Sequence, residues 1–244
     1  SIKHRLYTFI TTIKYVYLQI DNRHYIDYIL IVSQTKTKQI MDFSRLLSTF
    51  EGQPITHQML TSILSQYKRP NDKIKALKDK GIIKSVKRGI YIPGKNANMR
   101  VPESGLIANH IYGPSYLSME TSLSHYGLIP ERVYAVTSMT TKPSKEFRTS
   151  IGLYSYSHLP LPYFAFGIKN VILHEKQQVL MASPEKALAD KIVTTSGVIL
   201  RSMNNAQNYV FENLRMEQSD LKDFNTTEMR SWLSDAPKKE SLEI

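Results

Sequence analysis

Apolar residues recur with a helical period in the first half of this chain and with a strand-like period in much of the second. Phe43, Leu46, Leu47 and Phe50 fall at i, i+3, i+4 and i+7. A 3.6-residue turn puts those positions on one face, which predicts an amphipathic first helix. Asp42 or Ser44 offers its cap and Glu51-Gly52 its end. Beyond Pro54, residues Met59, Leu60, Ile63 and Leu64 repeat the pattern in a second helix. The residue before a proline avoids the helical region, so Lys68-Arg69-Pro70 predicts a turn. Asn71 would cap a third helix, with Ile74 and Leu77 facing inward and Gly81 closing it. The β-rich runs Ile82–Val86 and Ile90–Ile92 flank Lys87-Arg88-Gly89 and predict a hairpin. Three short helices and a hairpin within residues 41–94 are the parts of a winged helix-turn-helix.

From residue 95 the reading is a second, α+β domain running to residue 244. Helices are predicted over Glu103–Ile111 and over Pro114–Tyr126, the latter with proline in its first turn and Gly127 as its stop. The period then changes. Strands are predicted at Arg132–Met139, Lys145–Arg148, Leu153–His158, Tyr163–Gly167, Val171–His174 and Gln178–Ala182, forming a mainly antiparallel sheet flanked by helices. Ser183-Pro184-Glu185 opens a further helix through about Thr195, with cap, proline and first-turn acid in order. More helices are expected over Asn204–Leu214 and Thr226–Leu233.

Charge sharpens the division. The formal net charge is +11, of which residues 1–40 hold +4, residues 41–94 hold +6 and the remaining 150 residues only +1. Nine cations, Lys68, Arg69, Lys73, Lys75, Lys78, Lys80, Lys84, Lys87 and Arg88, lie within 21 residues, opposed by Asp72 and Asp79. A local cationic cluster attracts polyanions and displaces their counterions, which a balanced surface does not. In a winged helix the third helix enters the major groove and the hairpin lies beside it. The expected DNA-binding set is therefore Lys68, Arg69, Asn71, Lys73, Lys75, Lys78, Lys84, Lys87 and Arg88. Lysines chiefly hold phosphates, and base contact would fall to Asn71, Lys73 and Lys75 near the helix start and Arg88 at the hairpin tip.

The first forty residues differ from the rest. They contain no Gly, Ala, Pro, Glu or Met, and charged residues interrupt every apolar run well short of the roughly 18 residues a membrane helix needs. Their β-branched and aromatic bias could make strands or an added helix; of equal weight is a second expectation, since Ile, Tyr, Lys, Asn and Phe match A/T-rich codons, that they extend upstream of a natural start at Met41. The chain has no cysteine, which excludes disulfides, thiolate zinc sites and cysteine nucleophiles. Its seven histidines form no His-x-x-x-His pair. No metal or cofactor is expected, and the cysteine-free chain suits a cytoplasmic setting.

Two clusters invite catalytic readings, and neither holds on sequence grounds. Glu185, Lys186, Asp190 and Lys191 resemble a nuclease-like group, but Glu185 sits where an acid stabilises a helix N-terminus, and Lys186 and Asp190 at i, i+4 read as a surface pair. Ser118 and His125 share the expected helix but lie about 10 Å apart along its axis, too far for proton transfer. The run Tyr154, Tyr156, His158, Tyr163, Phe164 and Phe166 reads as sheet packing in preference to base stacking.

Three blocks carry a family resemblance. Gly113-Pro-Ser-Tyr-Leu-Ser-Met-Glu-Thr-Ser-Leu-Ser-His-Tyr-Gly-Leu-Ile-Pro130, Val136-Thr-Ser-Met-Thr-Thr-Lys142 and Ala182-Ser-Pro-Glu-Lys-Ala-Leu-Ala-Asp190 resemble core motifs of AbiEi-type antitoxins. With the winged helix in front, the resemblance spans about Met41 to Thr195. It implies a non-enzymatic antitoxin of a type IV toxin–antitoxin, or abortive-infection, operon. The winged helix would repress that operon at double-stranded operator repeats, as a homodimer or as two monomers. The second domain would counter a separate nucleotidyltransferase-like toxin, with direct contact left open. The alternatives are a winged-helix protein-interaction adaptor and a nuclease-like enzyme.

Overall fold

A computed structural model describes residues 47–131, 133–174 and 177–244. Residues 1–40 and most of the expected first helix, Phe43 and Leu46 included, lie outside the described residues. The chain is mixed α+β, its strand pairing mostly antiparallel, and it divides into two compact units. The first comprises residues up to Ser85 together with Gly89–Val101, and the second comprises Val86–Arg88 with Pro102–Ile244.

In the first unit a two-residue strand β1 (Ile55–Thr56) leads into helix α1 (His57–Ile63). Thr56 caps that helix, its hydroxyl accepting from the Met59 N–H at 3.2 Å. Helix α2 (Pro70–Asp79), capped at Arg69, starts two residues earlier than a cap at Asn71 would place it. Proline takes N1, where its missing N–H costs nothing and its φ is already helical, so Asn71 stands at the second helical position and is not the cap. The end is as expected. Gly81, at φ +66°, allows its own N–H to reach Lys78 O and that of Ile82 to reach Leu77 O, satisfying two terminal carbonyls. Strands β2 (Ile83–Lys87) and β3 (Ile90–Pro93) form the hairpin, and β1 pairs antiparallel with β3, giving the order β1-β3-β2. Leu47, Phe50, Ile55, Leu60, Ile63, Leu64, Ile74, Leu77, Ile83 and Tyr91 make the core.

The second unit is built on a six-stranded sheet in the order β6-β7-β5-β4-β9-β8. Its strands are β4 (Ser115–Leu117), β5 (Ala135–Thr140), β6 (Lys145–Thr149), β7 (Gly152–His158), β8 (Ile168–Ile172) and β9 (Gln178–Ala182). Three neighbour pairs are antiparallel, β6 with β7, β4 with β5 and β8 with β9. Two are parallel, β5 with β7 and β4 with β9. Helix α3 (Ser104–Ile111) packs on the face that carries Leu117 and Val179, close enough that a Cβ on Gly105 would lie 2.7 Å from Leu117. Helix α5 (Pro184–Thr194) takes the face that carries Tyr116, after the short α4 (Glu120–His125). The C-terminal part holds α6 (Met203–Gln207), a π-helical turn over Asn208–Asn213, α7 (Thr226–Trp232) and α8 (Lys239–Leu242). Among the described residues no helix is long and apolar enough to cross a membrane.

Two expectations are corrected here. Pro114–Tyr126 is not one helix: Ser115–Leu117 is a buried strand with neighbours on both edges, followed by Met119 at φ +51° and only then α4. The hydrogen bonds available to a central strand outweigh the proline signal. Nor is Tyr163–Gly167 a strand. Tyr163–Ala165 is a 3₁₀ turn in which Phe164 N–H reaches Pro160 O and Ala165 N–H reaches Pro162 O. Tyr163 and Phe164 are adjacent and both buried, which the alternating faces of a one-sided strand do not permit.

Candidate nucleic-acid interface

Helix α2 sorts its residues by angle. Ile74 and Leu77 point into the core, which leaves Asn71, Lys75 and Lys78, at i, i+4 and i+7, on the exposed side. Lys68, Arg69 and Lys80 are also exposed at its two ends, as are Lys84 on β2 and Arg88 at the hairpin turn. Asp72 does not cancel this face evenly. It sits 3.7 Å from Arg69 in an ion pair whose side chains are 80% and 70% exposed, a geometry worth little in water. Lys73 is half-buried, its ammonium 5.0 Å from the centre of the Tyr67 ring. Lys87 belongs to the second unit. Its Nζ donates to Ile111 O at 3.0 Å and lies 4.6 Å from the Phe147 ring centre. The structure thus groups Asn71, Lys75 and Lys78, flanks them with Lys68, Arg69 and Lys80, and gives Lys73 and Lys87 aromatic neighbours.

The expectation that Lys186 and Asp190 form a surface pair is wrong. Both side chains are 0% exposed, with Lys186 Nζ 2.7 Å from Asp190 Oδ1. Asp190 Oδ2 accepts from Tyr116 OH at 2.9 Å and from Ser118 Oγ at 2.7 Å. Lys186 Nζ also donates to Tyr163 O at 3.1 Å and stands over the Tyr163 ring, 3.2 Å from its centre. A buried charge is tolerated only when paired and hydrogen-bonded, and here both charges are. Burial pushes the Lys186 ammonium down to about 8, against the pull of Asp190. Burial, with Asp190 adding to it, pushes the Tyr116 and Tyr163 phenols well above their usual range. The sequence carried only part of the signal: Ala187, Leu188, Ala189, Ile192 and Val193 intersperse the charged Glu185, Lys186, Asp190 and Lys191 with apolar side chains, which leaves α5 little room for a wide polar face.

This cluster ties α5 to β4 and to the Tyr163 turn. Glu185 is turned elsewhere, accepting from the Asn225 N–H at 2.8 Å. Burial raises its carboxyl, and that bond together with the Ser183 hydroxyl outweighs burial and holds it below the usual range. Lys191 pairs with Glu120. Among the described residues no group of acids and histidines is placed to hold a metal. Ser118 and His125 do not share a helix. Ser118 is buried against Asp190, whereas His125 is exposed and lines an open cavity of about 400 Å³ with Ser104, Thr121, Ser124 and Tyr154. Tyr154, Tyr156, Tyr163 and Phe164 are all buried.

No protein-family model matches the chain, and no curated protein is significantly similar to it.

Proposed function

We propose that the first unit is a winged helix-turn-helix that binds double-stranded DNA, and that the chain is the autorepressor and antitoxin of a type IV toxin–antitoxin operon. The observation that supports the DNA reading most is the row Asn71, Lys75 and Lys78 on α2, exposed together and flanked by Lys68, Lys80, Lys84 and Arg88. A helix that buries two apolar residues and turns its cations outward suits the major groove, with phosphates held by lysine and register set by the turn before Pro70. The base-reading role falls to Asn71 and Lys75 at the start of α2 and to Arg88. Lys87 leaves the contact set, since its ammonium is engaged in the second unit.

The antitoxin role rests on the motif blocks at residues 113–130, 136–142 and 182–190. In this reading the second unit counters a nucleotidyltransferase-like toxin, works without cofactor in the cytoplasm and is no enzyme. A reporter driven by the DNA upstream of the gene tests the regulatory half. Supplying the chain should repress it, and K75Q/K78Q should relieve the repression. A reporter indifferent to the chain overturns the repressor role. Co-expression with a transferase-like protein encoded beside the gene tests the other half. Restored growth is the expected result, and unrelieved toxicity contradicts the antitoxin role.

A further inference from the structure

Lys73 does not belong to the row on which the DNA reading rests. Successive helical residues are about 100° apart, so Lys73 lies about 200° round α2 from Lys75. It shares its flank with Lys80, seven positions on. Asn71, Lys75 and Lys78 take the other flank, and the buried Ile74 and Leu77 separate the two. A helix in the major groove has a phosphate backbone on each side of it. The two flanks of α2 would therefore face different strands.

Lys73 is also held differently from its neighbours. Lys75, Lys78 and Lys80 are exposed, whereas Lys73 is half-buried with its ammonium 5.0 Å from the centre of the Tyr67 ring. That ring comes from the turn before α2. The Tyr67 N–H reaches Leu64 O at 2.9 Å, and Pro70 fixes the backbone three residues on. At 36% exposed, Tyr67 stands outside the apolar core of this unit. Its aromatic face attracts the ammonium and leaves the N–H donors of Lys73 for another acceptor. A free lysine gives up side-chain freedom when it takes a phosphate, and one already seated on a ring has less to lose.

We infer that Tyr67 is a positioning residue of the DNA interface: it holds Lys73 for a backbone phosphate on the strand opposite the one that Lys75 and Lys78 face. The inference rests on the DNA-binding reading of the first unit and extends it to the second wall of the groove. A lysine on phosphate carries no base information, so the pair adds affinity to specific and random duplex alike.

The test is a salt series on the full chain, with the duplex from upstream of the gene and a random duplex. K73Q should weaken binding to both and make the slope of log affinity against log salt shallower by about 1. Y67L should weaken both by about two- to fivefold, the range an exposed cation–π contact spans. Y67F, which keeps the ring, should bind as the original does. Y67L/K73Q should bind no more weakly than K73Q, because the ring acts only through the ammonium. The unfolding midpoint of Y67L should match that of the original, and a fall in it would assign the ring to the fold and overturn the inference. Binding by Y67L equal to the original, or losses that add in the double variant, would overturn it as well. So would a Y67F as weak as Y67L, which would mark the hydroxyl as a direct contact. K73Q with unchanged affinity and slope removes Lys73 from the interface and overturns the inference while the DNA reading stands. If the original binds neither duplex, the DNA reading fails and the inference falls with it.

Discussion

Helices α2 and α5 begin alike and end in opposite environments. Each places proline at N1 and an acid in the first turn, and each carries a lysine four residues before an aspartate: Lys75 and Asp79 in α2, Lys186 and Asp190 in α5. In α2 both members face water. In α5 both are sealed from it and tied to Tyr116, Ser118 and Tyr163. Spacing along a helix therefore says that two charges share a face, and nothing about where that face points. The neighbours decide. Two core residues, Ile74 and Leu77, leave α2 room for a wide polar side, whereas the alanines and branched residues of α5 leave none.

The largest test of this contrast removes one charge from each helix. Asp190→Ala leaves the Lys186 ammonium buried without its partner and should destabilise the fold by about 3–5 kcal/mol. Lys75→Gln should change stability by less than about 0.5 kcal/mol. Denaturant titration of the two variants reads the difference directly, and equal losses would break the comparison.

A smaller effect is expected where α5 ends. Lys238 Nζ donates to Ile192 O, Thr195 O and Val198 O, satisfying carbonyls left open by the helix terminus. Lys238→Met should cost about 1–3 kcal/mol, because part-buried acceptors lose their donor. A midpoint unchanged within error would show that water replaces the ammonium at no cost.

Alkaline pH offers a third test. Tyr116 and Tyr163 have phenols raised above their usual value of 10. Their contribution to stability is therefore complete below pH 10 and lost as pH rises beyond it, when the unfolded chain ionises first. Lys186, lowered to about 8 from 10.5, acts with the opposite sign between those values, so the decline should set in above pH 10. Absorbance at the phenolate band should show a late group of tyrosines that titrate only with unfolding. A simple titration near pH 10 for every tyrosine would contradict the burial argument.

The smallest expected effect on stability accompanies a large one on binding. K75Q/K78Q should leave the unfolding midpoint nearly unchanged while weakening DNA affinity and reducing its salt slope by about 2. Loss of stability together with binding would mean that these lysines support the fold.

Where the sequence was legible, one local rule governed. Ser183, Pro184 and the apolar run after them delimit α5, and Gly81 marks the end of α2 through its positive φ. Gln178–Ala182 reads directly as a strand. Where it was not legible, a distant segment decided. Ser115–Leu117 extends because β5 and β9 supply partners far away in the chain. Lys186 is buried because Tyr116 and Ser118, on and just after β4, and Tyr163, in the turn before β8, come from two other segments to receive the pair. The exposed row on α2 needed only its own periodicity.

The most direct test of the DNA reading is a titration of the chain against the duplex upstream of its gene and a random duplex of equal length at one fixed salt. The expected result is a preference of about 10³ or more for the upstream duplex, lost on replacing Asn71, Lys75 and Arg88. Equal weak binding to both, or none, would contradict it and leave the exposed face of α2 to a protein partner.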